Sequence, residues 1–248
     1  MSSLDAKLNH KTPQLFVVDG RGLGVRSISY HRHPGSPAVI DERITRQRFN
    51  LQGQLIQSID PRLFELQRED STIEPNLSYW HSLVGTPLRT DSVDAGISVT
   101  LNDRAGRPHL SVSATGVTRT WVYEDQTLAG RLLKVTDQAA NAQARITERF
   151  VWAGNSSAEQ ALNLSGQCVE YYDTAGLSRT HSIDLTGVPQ SVSRQLLEEG
   201  LEANWQGAEP GDWQTGLASE VFTTLCSADA GGTPDSNRCQ RQCAAPRL

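Results

Sequence analysis

A chain of 248 residues with 37% hydrophobic residues, 20 glycines and a net charge of −5 is long enough to bury a sizeable core, as one large β-domain or two smaller ones. The glycine content and negative mean hydropathy fit an extended or curved sheet with much wet surface better than a compact sandwich. No stretch gathers Lys and Arg into a phosphate-tracking patch, which speaks against nucleic acid, and no segment approaches the roughly 18 apolar residues of a membrane span.

Residues 1 to about 35 read as a strand pair around Asp19-Gly-Arg-Gly22, then a loop at His31-Arg-His-Pro-Gly-Ser-Pro37, where Pro and Gly forbid regular structure. Residues 44 to 68 read as a hairpin that opens with the strand Ile44-Thr-Arg-Gln-Arg-Phe49. It ends in Ser58-Ile-Asp-Pro-Arg62, because Pro61 cannot donate to a ladder. The polar stretch Gln67-Arg-Glu-Asp-Ser-Thr72 leads into Asn76-Leu-Ser-Tyr-Trp-His81. Further strands are predicted at Leu110-Ser-Val-Ser113, Val117 to Tyr123, Ile146 to Trp152 and Cys168-Val-Glu-Tyr-Tyr172, each alternating apolar or β-branched residues with charged ones. The ladder runs to about residue 190. Ser191 to Ala203, with Leu196, Leu197 and Leu201 interspersed with acids, reads as a short helix weakened by Gly200.

Eight times an Asp or Asn is followed three residues later by Gly: at Asp19, Asn50, Asp103, Asn163, Asp173, Asp184, Asn204 and Asp229. Chance pairing would give about two, so the pattern is a degenerate internal repeat. An Asx side chain bonds its own backbone and a Gly three residues on accepts a positive φ, which closes a type I turn with a bulge between antiparallel strands. Turn tips are therefore expected at Gly53, Gly106, Gly166, Gly176 and Gly187, and an open strand edge with a half-covered apolar face at Leu217 to Leu225.

The candidates for chemistry are sparse. His31-x-His33 places two imidazoles together, but no third ligand stands at suitable spacing, and surface-loop histidines are the simpler reading. Gly20-x-Gly22-x-Gly24 has the look of a phosphate loop, yet strand-like residues follow where a helix N-terminus would be required. Cys168 and Cys226 read as buried small hydrophobes. No acid/base pair stands out. The expectation is therefore no catalytic residue, no cofactor and no metal site.

Several segments carry a resemblance. Thr12-Pro-Gln-Leu-Phe-Val-Val-Asp-Gly-Arg-Gly-Leu23, Gly53-Gln-Leu-Ile-Gln-Ser-Ile-Asp-Pro-Arg-Leu63, Leu88-Arg-Thr-Asp-Ser-Val-Asp-Ala-Gly96, Thr147-Glu-Arg-Phe-Val-Trp-Ala-Gly-Asn155 and Glu202-Ala-Asn-Trp205 resemble the N-terminal region of the C component of bacterial insecticidal Tc toxins, the TccC-like proteins. Tyr172-Asp-Thr-Ala-Gly176 also resembles the core of the Rhs, or YD, repeat. The similarity runs from about residue 12 to 225. It implies a mainly β fold of repeated antiparallel hairpins, part of a curved, spiralling Rhs/YD-repeat shell. With a Tc toxin B component as shell partner, such a shell encloses a cytotoxic C-terminal cargo for delivery through the pore-forming A component. An aspartate protease site and the cargo itself are implied to lie downstream of the matched region, so the chain is expected to carry neither.

From Pro234 the sequence loses strand alternation and contains Cys239 and Cys243. It can be encoded so that the second-base frame reads Leu-Thr-Gln-Thr-Asp-Ala-Lys-Gly-Asn-Val-Gln-Arg-Leu-Ala, another repeat unit. Residues 1–233 are thus read as the shell segment and 234–248 as a frameshifted tail of a truncated product, in which a Cys-x-x-x-Cys spacing carries no meaning. Residues 1–7 lack a secretory leader, so synthesis in the cytoplasm and release within a toxin complex are expected. A carbohydrate- or surface-binding β-repeat module is the alternative, with an enzyme of unrecognised site behind it. Trp80, Trp121, Trp152 and Trp205 are candidate interface anchors or core residues.

Overall fold

The structure, a computed structural model, describes residues 8–227 and the backbone of 240–244. The chain divides into two compact units, one comprising residues up to Asn102 with Ser111–Ala114, the other Asp103–Leu110 with the chain from Thr115 onward.

The first unit contains β1 (Gln14–Val18), β2 (Gly24–His31), β3 (Asp41–Phe49), β4 (Leu55–Ile59), a helix α1 (Pro61–Glu69), β5 (Leu77–His81), β6 (Pro87–Ser92) and β7 (Gly96–Asn102). Each strand pairs antiparallel with its chain neighbour. β8 (Pro108–Val112) is divided between the units. The second unit continues with β9 (Thr118–Tyr123), β10 (Leu132–Gln138), β11 (Arg145–Trp152), a short helix α2 (Ser157–Ala161), β12 (Cys168–Asp173), β13 (Gly176–Ile183) and β14 (Pro189–Leu197). It ends in α3 (Pro210–Trp213), a 3₁₀ turn (Gln214–Gly216), β15 (Leu217–Leu225) and β16 (Gln240–Ala244). Here too the antiparallel order follows the chain. The hairpin fold is the expected one.

Four of the expected turns are built alike. At Asp19, Asn50, Asp103 and Asp184 the residue's N–H donates to the carbonyl four positions on, and the Gly three positions on donates back to its carbonyl. The Asx oxygen then accepts a second main-chain bond: Asp103 Oδ1 takes the N–H of Ala105 at 2.8 Å and of Arg107 at 3.0 Å. Ser82 makes the same turn with its hydroxyl, receiving Thr86 N–H at 3.2 Å, and Gly85 sits at φ +91°. One expected tip differs. Gly166 lies where the chain returns from α2 into β12, its N–H directed to the carbonyl of Ala153, because the α2 insertion, closed by a Ser156/Glu159 capping box, replaces a direct β11–β12 turn. Of the remaining pairs, Asn204/Gly207 makes no hairpin, and Gly207 sits in the irregular chain between β14 and α3, packed against Asp212. The Asp229/Gly232 pair lies outside the described residues.

α1 was not expected. Asp60 caps it, accepting from Leu63 N–H at 2.8 Å, and Pro61 opens it, the arrangement that a helix start favours. Thus Pro61 ends the ladder as expected but begins a helix whose Phe64 buries itself on Ile44 and Ile59. The helix expected within 191–203 is absent: β14 is paired along both edges, with β13 and β15, and the chain beyond Leu197 is irregular. Sheet pairing on two sides overrides the weak local preference.

The core of the second unit is aromatic. Tyr172 is fully buried, with the Trp205 and Trp213 rings both 5.2 Å away and edge-on. Leu177, Ala203 and Leu217 complete the cluster. The 198–216 segment therefore folds back as a lid on β12 and β13. Arg149 fastens it, donating to the carbonyls of Trp205 at 2.6 Å and Gly207 at 2.9 Å.

Candidate interaction surface

Leu15-Phe-Val-Val18 is a continuous apolar run, the pattern of a strand covered on both faces. In β1 neither face is covered. All five residues of the strand are exposed, Phe16 at 72% and Val18 at 60%, and among the described residues β1 pairs only with β2. Leu15 lies opposite Ile28, and Ile28 opposite Ile44, so Leu15 and Val17 extend the face that carries the Phe64 cluster. On the other face Phe16 borders a cavity of about 200 Å³ lined by the side chains of Ser27, Thr45 and Gln47 and by the β2 main chain. The edge is held in place: Arg21, in the β1–β2 turn, donates to the Asn50 carbonyl of the β3–β4 turn at 2.8 Å. An ordered, apolar, unpaired strand is a template for another chain's strand.

This edge is not the one expected. β15 pairs with β14 on one side and β16 on the other, and Leu217 is buried in the aromatic core. The tail segment expected to fall outside the strand pattern supplies β16, because the main-chain groups of an edge accept any backbone in register.

The tryptophan candidates part company. Trp205 is core, 3% exposed, its indole N–H on the Asp173 carbonyl. Trp152 donates to the Leu132 carbonyl at 2.8 Å with Arg131 over its ring. Trp121 is half-buried. Trp80 is 48% exposed, with the Arg89 guanidinium 4.8 Å from its ring centroid. Trp213, buried beside Tyr172, carried no signal beyond its residue type.

The remaining candidates serve turns and loops. His33 Nδ1 accepts the Gly35 N–H at 3.1 Å, while His31 faces Arg43. Among the described residues no group of three or more His, Cys, Asp or Glu is placed to hold a metal. Gly22, at φ +82°, closes a β-turn that feeds β2 rather than a helix. Cys168 is a half-buried free thiol pushed up by burial. Cys226, expected as a buried small hydrophobe, is disulfide-bonded. Burial, with smaller contributions from hydrogen bonds and nearby charges, pushes the Tyr171 and Tyr172 phenols up to about 12. Hydrogen bonds hold the turn aspartates below their ordinary range. No helix is long and apolar enough to cross a membrane, among the described residues.

Antiparallel hairpins strung in chain order on Asx-Gly turns define a protein built of repeated β-hairpins. No family model matches the chain. It is 46% identical over 232 residues to the toxin subunit YenC1 of Yersinia entomophaga, covering 94% of this chain and 24% of that subunit. To YenC2 of the same organism it is 45% identical over 245 residues, covering 92% and 25%. The crystal structure of TcdB2-TccC3 matches with a TM-score of 0.86 at 48% identity, over 93% of this chain and 11% of that one. A mutant Photorhabdus luminescens Tc holotoxin pore matches at 0.87 and 49%, over 94% and 11%. The chain is a homologue of the Tc toxin C components and corresponds to the N-terminal region of a TccC-like protein. It spans about a quarter of the length of the curated relatives it matches.

Proposed function

We propose that the chain is a non-catalytic wall segment of an insecticidal Tc toxin C component. With a B component it encloses a cytotoxic C-terminal cargo, for delivery by the pore-forming A component. The observation that carries this reading is β1: an apolar strand, exposed on both faces and along one edge, in a chain whose solved relatives include TcdB2-TccC3. A strand of the B component laid along β1 would cover it. The test is co-expression with a TcdB2-type B component. A soluble, co-purifying complex is expected; a chain that stays separate and monodisperse beside the B component would overturn the reading.

The carbohydrate-binding alternative needs an exposed aromatic platform, and Arg89 already occupies one face of Trp80. Residues 234–248 are read as the product of a shifted frame, on the encoding argument above. DNA sequence continuing in the second-base frame with Tyr-Asp-x-x-Gly units would support that; an in-frame stop in both frames would oppose it.

A further inference from the structure

Among the described residues, eleven arginines form ion pairs with carboxylates. Charge on this sheet is therefore met, as a rule, by its opposite. Three arginines gathered on β2 and β3 break the rule. Arg26 and Arg46 stand directly opposite in register, and Arg48, two residues along, projects from the same face. Like charges placed directly across a strand pair repel. None of the three has a carboxylate. Arg46 donates to the Gln67 amide oxygen at 2.5 Å and Arg48 to that of Gln57 at 3.2 Å, both neutral acceptors. The buried Nε of Arg46 has no acceptor. Arg26 and Arg46 lie over the Phe64 ring, at 6.0 and 5.3 Å. Nearby acids are engaged elsewhere, Asp60 in capping α1 and bonding Asn76, Glu65 with Arg68. Burial, then the charges of Arg48 and Arg26, hold Arg46 below its ordinary value.

The cluster adjoins the open edge. Arg26 is opposite Val17 of β1, so a strand added along β1 would run about 10 Å from β2, two strand spacings. Arg26 and a Glu or Asp side chain extended toward each other span that distance across the exposed Val17, while Arg46 and Arg48, one strand further in, stand about 14 Å from the added strand and act through their field.

We propose that Arg26 receives a carboxylate from the strand that pairs with β1, with the charges of Arg46 and Arg48 behind it reinforcing the attraction, so that this edge recognises an acidic strand rather than any apolar one. The inference rests on the reading of β1 as the B-component edge. Three unmatched positive charges beside an apolar strand supply a complementary electrostatic half that steers docking and fixes register. They also resist the pairing of two copies of β1, since each copy would bring its own arginines.

The test measures binding of a TcdB2-type B component to the full chain at two salt concentrations. The variants are Arg26→Gln/Arg46→Gln/Arg48→Gln, Arg26→Gln alone, and the control Arg43→Gln, which loses the exposed pair with Asp41 and the contact with His31. The triple variant is expected to bind at least tenfold more weakly at low salt and to lose most of its salt dependence. Arg26→Gln should show part of that loss, and Arg43→Gln should stay within twofold. Melting temperatures should be unchanged or higher, since repulsion is removed. Arg26→Gln, whose side chain is exposed, keeps the test open if the triple variant misfolds. Wild-type binding with no loss in either variant would overturn the acidic-strand inference and leave the β1 reading standing. No binding by the wild type would overturn both.

Discussion

Gly176 packs so closely on Gln195 across the β13–β14 pair that a β-carbon there would lie 2.2 Å from the Gln195 carbonyl oxygen. Its φ of +137° is also one that L side chains rarely adopt. That oxygen and the Leu196 α-carbon, 2.8 Å from the same point, belong to main chain, so neither can swing away. Gly176→Ala is expected to cost more than 3 kcal/mol, in the range reserved for steric failure. At Gly187, φ +90° with nothing within 4 Å of the added carbon, the same change should cost about 1–2 kcal/mol from backbone strain alone. Denaturant melts of the two variants check this; equal losses would refute the close-packing account.

Trp205→Ala should lose about 3–5 kcal/mol, as for a large aromatic deleted from a core, and should loosen the 198–216 lid, detected as faster amide exchange around Tyr172. Trp80→Ala, at a ring half exposed, should fall within about 1 kcal/mol of wild type. The reverse ranking would place the wrong tryptophan in the core.

Much of this arrangement was legible, and the boundary has physical causes. The turns at Asp19, Asn50, Asp103 and Asp184 could be read because both ingredients, an acceptor side chain and a positive-φ glycine, lie within four residues. Ser82 escaped because a hydroxyl does the work of the Asx oxygen. Asp60-Pro61 carries two opposed signals, since a proline that stops a ladder also opens a helix when an Asp caps it. The convergence of Trp205 and Trp213 on Tyr172 could not be read, since it depends on a segment returning some thirty to forty residues later. Arg26 and Arg46 face each other only through strand register. The open edge lies at β1 and not at β15, and its sequence mark is the unbroken Leu15–Val18 run, which departs from the alternation of the other strands.

Acid should weaken the fold through its turns. Asp184 is held below 3.8 first by the Thr186 hydroxyl and then by the Val188 N–H, and Asp103 first by the Arg107 side chain and then by its N–H. Folded values lower than unfolded ones stabilise above the unfolded value, and that contribution disappears as pH falls through the folded value. Melting temperature should be level from pH 7 to about 5 and decline below about 4. Asp184→Asn, which keeps the acceptor as Asn50 does with Gln54 N–H, should leave the pH 7 melt nearly unchanged and flatten the acid slope. An unaltered slope would assign the acid sensitivity elsewhere.

Phe16→Lys with Val18→Lys should cost less than about 0.5 kcal/mol, because both side chains are exposed. It should raise solubility and abolish association with the B component, since lysines guard open edges. Light scattering and co-purification check both; retained association would remove β1 from the interface.

The wall-segment reading predicts no chemistry. Expressed alone, the 248-residue chain should keep its intact mass and leave cells viable. New termini by mass spectrometry, or cell death on expression, would contradict it.

The lid over Tyr172 also sets a timetable for synthesis. Within each unit the strands pair with chain neighbours, so hairpins can form as they leave the ribosome, with short loops to close. Tyr172 is the exception: Trp213 follows it by roughly forty residues, or about 2–8 s at the usual 5–20 residues per second. During that interval β12 and β13 present an uncovered aromatic face to the nascent chain's surroundings. A chaperone that shields apolar surface has its window there, and a ribosome stalled before residue 205 would leave the hairpins paired but the second unit without its core.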